Sequence, residues 1–203
     1  EFWVAQRMLG SANHADFEHA EVVMFVGKNP WQSHGFHRAR AEIREMAKDP
    51  QRTLIVLDPK RTETADLADI HLPVKVGRDA WLLAGIVATI VRENLQDDAW
   101  IAEHAAGFEA VLEVFDRIDI ADCAEKSGID ESIIRSTART IANAKSVAVF
   151  EDLGTQMNRH STLVSYLQRL TWLLGGNFGK PGTAYTANSL GKVGAGTEGG
   201  KSP

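Results

Sequence analysis

The sequence contains a single cysteine among its 203 residues, and its positive charges are outnumbered by negative ones. Cys123 cannot form a disulfide within the chain, and alone it cannot supply an all-cysteine zinc or iron–sulfur site. The formal charge of −5 argues against a protein that binds the phosphate backbone of nucleic acids, because such proteins carry a basic face. The low cysteine usage is typical of a reducing compartment, so we expect a cytoplasmic protein.

The sequence also lacks a long apolar run. Its most apolar stretch, residues 80–91, is too short to span a bilayer and is flanked by charge, so we predict a buried helix and no membrane insertion. The start of the sequence has no apolar core of the kind found in signal peptides. It begins within an amphipathic helical pattern and ends in glycine-rich coil, so we expect a piece excised from a longer protein.

Apolar, β-rich runs alternate with helical spacing along the chain. The runs at 22–27 and 53–58 indicate buried strands, and 146–154 indicates a further strand and its turn. Pro73 marks the run at 70–75 as an edge or irregular strand. We therefore predict an α/β fold with a mostly parallel sheet of four or five strands and helices on both faces. The predicted helices lie at 35–49, 63–69, 79–94, 97–118 with a break near Gly107, 120–144 and 161–176.

We divide the chain into three parts. Residues 1–20 are expected to be the remnant of a preceding domain, and residues 21–180 form the main domain. Residues 181–203 contain too little apolar surface to fold alone, so we expect an extended, glycine-rich strap that is poorly ordered in isolation.

A polar turn follows each predicted strand at its carboxyl end, where parallel sheets bind their ligands. The first turn is Gly27-Lys28-Asn29-Pro30. Its glycine allows the backbone to approach a ligand closely, and the helix that follows presents free N–H groups to phosphate oxygens. A plain Gly-Asn-Pro turn explains the motif equally well.

The second turn is Asp58-Pro59-Lys60-Arg61-Thr62. Its carboxylate is suited to ribose hydroxyls, and its cations and hydroxyl are suited to phosphate. The alternative is a capped turn with solvated basic residues. The additional hydroxyl of Thr64 at the same edge favours a ligand site.

The third turn, Gly77-Arg78-Asp79, precedes the most apolar predicted helix. Taken alone, Asp79 is best explained as an N-cap. Its carboxylate also suits guanine, which presents an N1–H and an N2 amine side by side, whereas adenine lacks that pair of donors. The fourth turn, residues 151–157, taken alone resembles an ordinary acidic turn.

The histidines form no recognisable site. His34 and His37 are three residues apart on a predicted helix start, without a carboxylate or cysteine at ligand spacing. The sequence shows no recognisable Ser-His-Asp or Cys-His arrangement. We therefore predict neither a catalytic residue nor a metal ligand in this chain.

Three segments, VGKNPWQSH, LIVLDPKRTETADLADIHLPVKVGRD and GGNFGKPG, together resemble the molybdopterin oxidoreductases of the dimethyl sulfoxide reductase superfamily. The likeness is greatest to formate dehydrogenase alpha subunits and assimilatory nitrate reductases. It implies a Rossmann-like three-layer sandwich that holds the guanosine end of one of two molybdopterin guanine dinucleotides around molybdenum (Mo-bis-MGD).

The resemblance also implies roles for individual residues. The first turn and Ser33 would line phosphate and ribose, the second turn would hold ribose and phosphate, and the third would bind guanine. The fourth turn would approach the pterin. The complete predicted cofactor-binding set is Gly27, Lys28, Asn29, Pro30, Ser33, Asp58, Pro59, Lys60, Arg61, Thr62, Gly77, Arg78, Asp79, Leu153, Gly154 and Met157.

The same resemblance implies partners and groups outside this sequence. These are a [4Fe–4S] cluster in a preceding segment, a metal-ligating cysteine, selenocysteine or serine, the remaining domains of the parent chain and an electron-transfer subunit. We expect the piece alone to be inactive and to self-associate through exposed apolar patches.

Two other functions are compatible with parts of the pattern. The central domain of thiamine-diphosphate enzymes shares a GxNP-like turn and a strand that ends in Asp, but it lacks the DPKRTETADLAD block. A non-catalytic interaction module with the same fold is the other alternative.

Overall fold

A four-stranded parallel sheet forms the centre of the protein in the computed structural model, which describes residues 1–186. The strands are β1 (His14–Ala15), β2 (Val22–Val26), β3 (Thr53–Leu57), β4 (Ile70–Leu72), β5 (Val147–Glu151) and β6 (Ala184–Tyr185). The order in the central sheet is β4-β3-β2-β5, with parallel pairing throughout. This confirms the α/β fold with a mostly parallel sheet.

The sheet forms because its strands are apolar on both sides. Met24 and Ile55 face one core cluster, whereas their neighbours Phe25 and Leu54 face a second cluster on the opposite side. Successive side chains of a strand point to opposite faces, so a continuous apolar run has to be covered twice.

Helices cover both faces of the sheet, as predicted. The helices are α1 (Phe2–Leu9), α2 (Pro30–Ser33), α3 (Ala39–Met46), α4 (Asp79–Arg92), α5 (Asp98–His104), α6 (Phe108–Asp116), α7 (Ile120–Ser127), α8 (Glu131–Asn143), α9 (Leu153–Gln156) and α10 (Ser161–Leu173), and a 3-10 helix is formed by Ala65–Leu67. The larger core lies beneath α4, α7, α8 and α10, and the smaller one lies beneath α3, the 3-10 helix and several phenylalanines.

Two helix predictions are too long. The helix expected at 35–49 is α3 alone, because His34 and Arg38 have positive φ angles of 54° and 53° that interrupt helical geometry before Ala39. The helix expected at 63–69 is the short 3-10 helix, Ala65–Leu67. The predicted break at Gly107 is confirmed, since its φ of 73° separates α5 from α6.

Outside the main sheet, β1 and β6 form a small antiparallel pair that the sequence did not predict. His14 pairs with Tyr185, and Ala15 pairs with Ala184. The pair attaches the first part of the predicted strap to the segment before β2. The remainder of that strap, residues 187–203, lies outside the described residues. No helix within residues 1–186 is long and apolar enough to cross a membrane.

The carboxyl ends of the four parallel strands are level. Val26 is in register with Leu57 on one side and with Glu151 on the other, and Leu57 is in register with Leu72. The four turns that follow these strands therefore meet along one rim of the sheet, which is where ligands bind in folds of this kind.

Candidate functional site

The turns after β2 and β5 touch backbone to backbone. The amide of Gly154 donates to the carbonyl oxygen of Gly27 at 3.0 Å, and the amide of Asp152 donates to that of Val26 at 3.1 Å. A Cβ on Gly27 would lie 2.6 Å from the nitrogen of Thr155, and one on Gly154 would lie 2.6 Å from the oxygen of Gly27. Both glycines are thus required by the contact between the turns, whatever ligand binds beside them.

Lys28 is held within the same contact. Only 4% of its side chain is exposed, its ammonium pairs with the carboxylate of Asp152, and it lies 4.8 Å from the ring centroid of Phe150. Pro30, the first residue of α2, is buried. The structure thus places Lys28 where its charge is already neutralised, and a role for it toward phosphate stays a prediction.

The turns after β2 and β3 are joined by side chains. The hydroxyl of Thr64 donates to Oδ1 of Asn29 at 2.6 Å, and Nδ2 of Asn29 donates to Glu63 at 3.0 Å. Gln32 also donates to Glu63, at 2.6 Å, and the exposed Ser33 donates to the carbonyl oxygen of Asn29 at 3.0 Å. These bonds fix Asn29 at the rim beside the β3 turn.

Asp58 closes the turn after β3. Its Oδ1 accepts from the amide of Lys60 at 2.8 Å, and its carbonyl oxygen lies 2.9 Å from Nε2 of His71. The turn leaves Pro59 and Lys60 exposed. Within the described residues, the ammonium of Lys60 makes no ion pair, so it is available to an anionic ligand.

The rest of this turn is occupied with local contacts. Thr62 is buried, and its hydroxyl accepts from the amide of Ala65 at 3.2 Å. Arg61 is exposed and donates to Asp66 at 2.7 Å. Exposed ion pairs of this kind contribute little and exchange readily with other partners.

The turn after β4 presents a nearly buried carboxylate. Asp79 is the first residue of α4, and Arg78 rather than Asp79 is the N-cap residue. Asp79 is 6% exposed, and its Oδ2 accepts from Nδ2 of Asn158 at 2.7 Å. Burial, with a smaller contribution from the charge of Asp58, raises the pKa of Asp79, against the hydrogen bonds from its own backbone and from Asn158.

A cavity of about 1170 Å³ lies next to the residues that flank Asp79, although Asp79 itself is not among its lining residues. It is lined by Arg78 and Ala80, the chain neighbours of Asp79, and by Asn158. Gly154 and Met157 from the β5 side also line it. The third and fourth predicted turns, which are far apart in sequence, therefore meet at one cavity.

Two of the residues that line this cavity are exposed apolar side chains, Met157 at 84% and Val76 at 85%. Leu153, the residue before Gly154, is 63% exposed but does not line the cavity. Gly77, which lies beside Val76, adopts a φ of 75°, and nothing stands within 4 Å of the position that a Cβ would occupy. The contact of Leu153, Gly154 and Met157 with a pterin stays a prediction.

A buried polar group lies behind the β5 turn, and sequence reasoning missed it. Glu151 accepts from Ser165 and from Gln168, the latter at 3.0 Å, and lies 3.5 Å from Nη1 of Arg169. Glu151 and Arg169 are each 1% exposed, and burial lowers the pKa of Arg169. The sequence shows that β5 ends in an acidic residue, but it does not show which residues pair with Glu151, because those residues lie on α10.

The described residues contain little else that suggests chemistry. Between residues 1 and 186, no three histidine, cysteine or acidic side chains are placed as a metal-ligand set. Cys123 is buried in α7, and burial raises the pKa of its thiol to about 11, which makes it a poor nucleophile.

Comparison with known proteins establishes the family. Residues 4–199 match the family described as molybdopterin oxidoreductase. The chain belongs to the molybdopterin oxidoreductase family. Membership implies a molybdenum–pterin cofactor, and it rules out the thiamine-diphosphate alternative.

Several characterised members of the family are similar to this chain. Formate dehydrogenase H of Escherichia coli (strain K12) is 34% identical over 170 residues, which cover 82% of this chain and 23% of that protein. The assimilatory nitrate reductase catalytic subunit of Bacillus subtilis (strain 168) is 30% identical over 175 residues, which cover 85% of this chain and 24% of that protein. Acetylene hydratase of Syntrophotalea acetylenica is 31% identical over 173 residues, which cover 83% of this chain and 23% of that protein.

The fold agrees with this assignment. The solved structure of acetylene hydratase from Pelobacter acetylenicus matches with a TM-score of 0.80 and 29% identity, over 90% of this chain and 25% of that one. The predicted likeness to formate dehydrogenases and nitrate reductases is confirmed, whereas acetylene hydratase was not among the expected relatives. The chain spans about a quarter of the length of these relatives.

Proposed function

We propose that this chain is the part of a molybdenum-dependent oxidoreductase that binds the guanosine end of one molybdopterin guanine dinucleotide. The whole enzyme would be of the formate dehydrogenase or nitrate reductase type, since proteins with both names are relatives. The observation that carries the proposal is the position of Asp79 at the carboxyl rim of the sheet, a nearly buried carboxylate whose chain neighbour Arg78 and hydrogen-bond partner Asn158 line a large cavity.

The chemistry of guanine supports this assignment. A carboxylate has two oxygens that accept from the adjacent N1–H and N2 amine, and adenine does not offer that pair of donors. Desolvation makes an ion costly unless it is paired, so a carboxylate kept almost buried at a cavity gains from such donors. Asp79 therefore fits the base of the dinucleotide.

Cations at the same rim fit the phosphates. Lys60 and Arg78 are exposed, and neither makes an ion pair in the described part of the chain. They flank the carboxylates of Asp58 and Asp79, which fit ribose and base respectively. By contrast, the ammonium of Lys28 is neutralised by Asp152, so we assign the phosphate contacts to Lys60 and Arg78 first.

When bound, the molybdenum cofactor supplies the redox or oxo-transfer chemistry, and this chain binds and orients it. Because no catalytic residue is assigned here, we expect the isolated chain to be inactive toward formate and nitrate. Turnover of either substrate by the purified chain with an artificial electron carrier would contradict this expectation.

The proposal is tested by nucleotide binding to the 203-residue chain. We expect GDP to bind more tightly than ADP, since both carry the same diphosphate and only the base differs. Inosine diphosphate, which keeps N1–H but lacks the N2 amine, should fall between them. Calorimetric titration measures the three affinities, and equal binding of GDP and ADP would overturn the proposal.

A change of specificity gives a stricter test. In Asp79→Asn, the amide replaces one acceptor with a donor, so GDP should lose its advantage. Xanthosine diphosphate carries a carbonyl oxygen in place of the N2 amine and should gain affinity, because the new amide donates to it. A variant that still prefers GDP to xanthosine diphosphate would show that guanine does not bind at Asp79.

Other expectations stay predictions. They are the cytoplasmic location, the [4Fe–4S] cluster, the electron-transfer subunit and the contacts with remaining domains of the parent protein. Self-association is supported by the exposed Phe2, Trp3 and Met157, and sedimentation at increasing concentration measures it.

A further inference from the structure

Asn158 is the side chain that holds the carboxylate of Asp79, and its own hydrogen bonds determine how it does so. Its Oδ1 accepts from the backbone amide of His160 at 3.0 Å. A backbone N–H can only donate, so the amide of Asn158 cannot be turned around without losing this bond. Its Nδ2 must therefore face Asp79, where it donates to Oδ2 at 2.7 Å.

The backbone of Asn158 is fixed as well. Its amide donates to the carbonyl oxygen of Thr155 at 3.0 Å, and its own carbonyl oxygen accepts from the amide of Ser161 at 3.1 Å. The side chain thus projects from a segment between α9 and α10 that is hydrogen-bonded on both sides. Such a residue acts as a permanent support for Asp79 and not as a gate that swings away.

A donor in this position leaves the carboxylate able to bind guanine. Each carboxylate oxygen accepts more than one hydrogen bond, so Oδ2 can accept from Asn158 and from one guanine donor while Oδ1 accepts from the other. A protonated Asp79 would present a hydroxyl and would lose one of the two acceptors. An Nδ2 donor at 2.7 Å stabilises the ionised form, which is the form that guanine requires.

We propose that Asn158 is a positioning residue for guanine recognition, which keeps the carboxylate of Asp79 ionised and oriented as a double acceptor. This inference rests on the proposed function of Asp79. Asn158 lines the same cavity, so it lies at the edge of the base-binding site itself.

The charged surroundings of Asp79 make this support necessary. Asp58 from the β3 turn opposes ionisation, and together with burial it raises the pKa of Asp79. Arg78 precedes Asp79 in the chain, and Arg159 and His160 follow Asn158 at the cavity. Guanine affinity should therefore be complete above the raised pKa of Asp79 and should be lost as the pH falls through it.

The test compares variants of Asn158 by the ratio of GDP to ADP affinity as a function of pH. The terminal phosphate of both nucleotides titrates at about pH 6. Its contribution cancels in the ratio of GDP to ADP affinity, so the ratio reports the base alone. In Asn158→Asp, Oδ1 can still accept from His160, but a second carboxylate replaces the donor to Asp79. The ratio of GDP to ADP affinity at neutral pH should fall by about tenfold or more. The pH at which this ratio has lost half of its maximum, its midpoint, should move to higher pH.

Two further variants make the result specific. Asn158→Ala removes the donor without adding charge and should shift the midpoint in the same direction by a smaller amount. Asn143→Asp makes the same chemical change at an exposed position at the end of α8, before β5 and thus at the opposite end of the sheet, and it should leave the ratio unchanged.

The outcomes separate the two proposals. If the native chain does not prefer GDP, the proposed function fails and this inference fails with it. If the native chain prefers GDP, Asp79→Asn abolishes the preference and the Asn158 variants keep the native midpoint, only this inference is overturned. If Asn158→Ala instead increases GDP affinity, Asn158 competes with guanine for Asp79, which also overturns it.

Discussion

The two halves of the rim differ in how their polar groups are satisfied. In the half formed by the β2 and β5 turns, Gly27 and Gly154 touch, Lys28 pairs with Asp152, and the groups are matched within the protein. In the half formed by the β3 and β4 turns, Lys60 is exposed and Gly77 has open space where a Cβ would lie. The contact between the β2 and β5 turns is thus matched within the protein, whereas the β3 and β4 turns leave groups free for a ligand.

This difference changes the structural explanation of two motifs. The sequence leaves a ligand site and a plain turn equally open for the glycine turn, and its glycine is explained by contact with another turn. For Asp79 alone the sequence favours a helix cap, but Asp79 is not at the N-cap position. Substitutions at the contact of Gly27 and Lys28 with the β5 turn should therefore lower stability, and substitution of the exposed Lys60 should lower binding with little effect on stability.

The largest loss of stability is expected from Arg169→Met. The substitution leaves Glu151 buried without its cationic partner, and breaking a buried pair in this way typically costs about 3–5 kcal/mol. Urea unfolding measures the change. The double variant Glu151→Gln with Arg169→Met should recover part of the loss, because no unpaired charge remains. An Arg169→Met variant whose free energy of unfolding lies within about 1 kcal/mol of that of the native chain would contradict this explanation.

Gly27→Ala should be the next most damaging change. It combines a positive φ of 60°, which costs about 1–2 kcal/mol for a non-glycine residue, with a Cβ placed 2.6 Å from the backbone nitrogen of Thr155. The clash adds roughly 1–3 kcal/mol. Gly77→Ala is the matched control in the other half, with a φ of 75° and nothing within 4 Å. If Gly27→Ala and Gly77→Ala lower the free energy of unfolding equally, the two halves of the rim do not differ in the way described.

Much of the fold could be predicted because it depends on local pattern. Five consecutive apolar residues in β2 indicate a strand covered on both sides. The run at 70–75, predicted from Pro73 to be an edge or irregular strand, is the edge strand β4, which ends at Leu72 just before that proline. Gly107 marks the division between α5 and α6. Each of these signals lies within a few neighbouring residues, so a single sequence is sufficient to find it.

The contacts that distinguish the two halves of the rim could not be predicted in this way. Asn158 and Asp79 are 79 residues apart, and Lys28 and Asp152 are 124 residues apart. Each pair forms because level strand ends bring separate turns together, and nothing near either residue specifies its partner. The register of the strands predicts that the turns share a rim, but it does not determine which side chains pair across it.

In the open half, Lys60→Ala should weaken binding without affecting the fold. We expect GDP and ADP to lose affinity alike, by about tenfold, because the ammonium contacts phosphate and not the base. The free energy of unfolding should change by no more than about 0.5 kcal/mol. The difference in nucleotide affinity between the native chain and Lys60→Ala should shrink at high salt. Lys48→Ala, an exposed lysine just beyond α3, is the control. A loss confined to GDP would place Lys60 at the base instead.

The smallest expected effect is a pH-dependent difference in stability between the native chain and Asp79→Asn. Burial raises the pKa of Asp79 in the folded protein, so the folded state takes up its proton at a higher pH than the unfolded state. The ionised carboxylate therefore lowers stability at neutral pH, and this cost is relieved as the pH falls through the raised pKa. The native chain should gain stability relative to Asp79→Asn between about pH 7 and about pH 4. Urea unfolding of both proteins across that range measures the difference. A native chain that loses stability relative to the variant on acidification would mean that Asp79 is stabilised as an ion by the protein alone, without any need for a guanine partner.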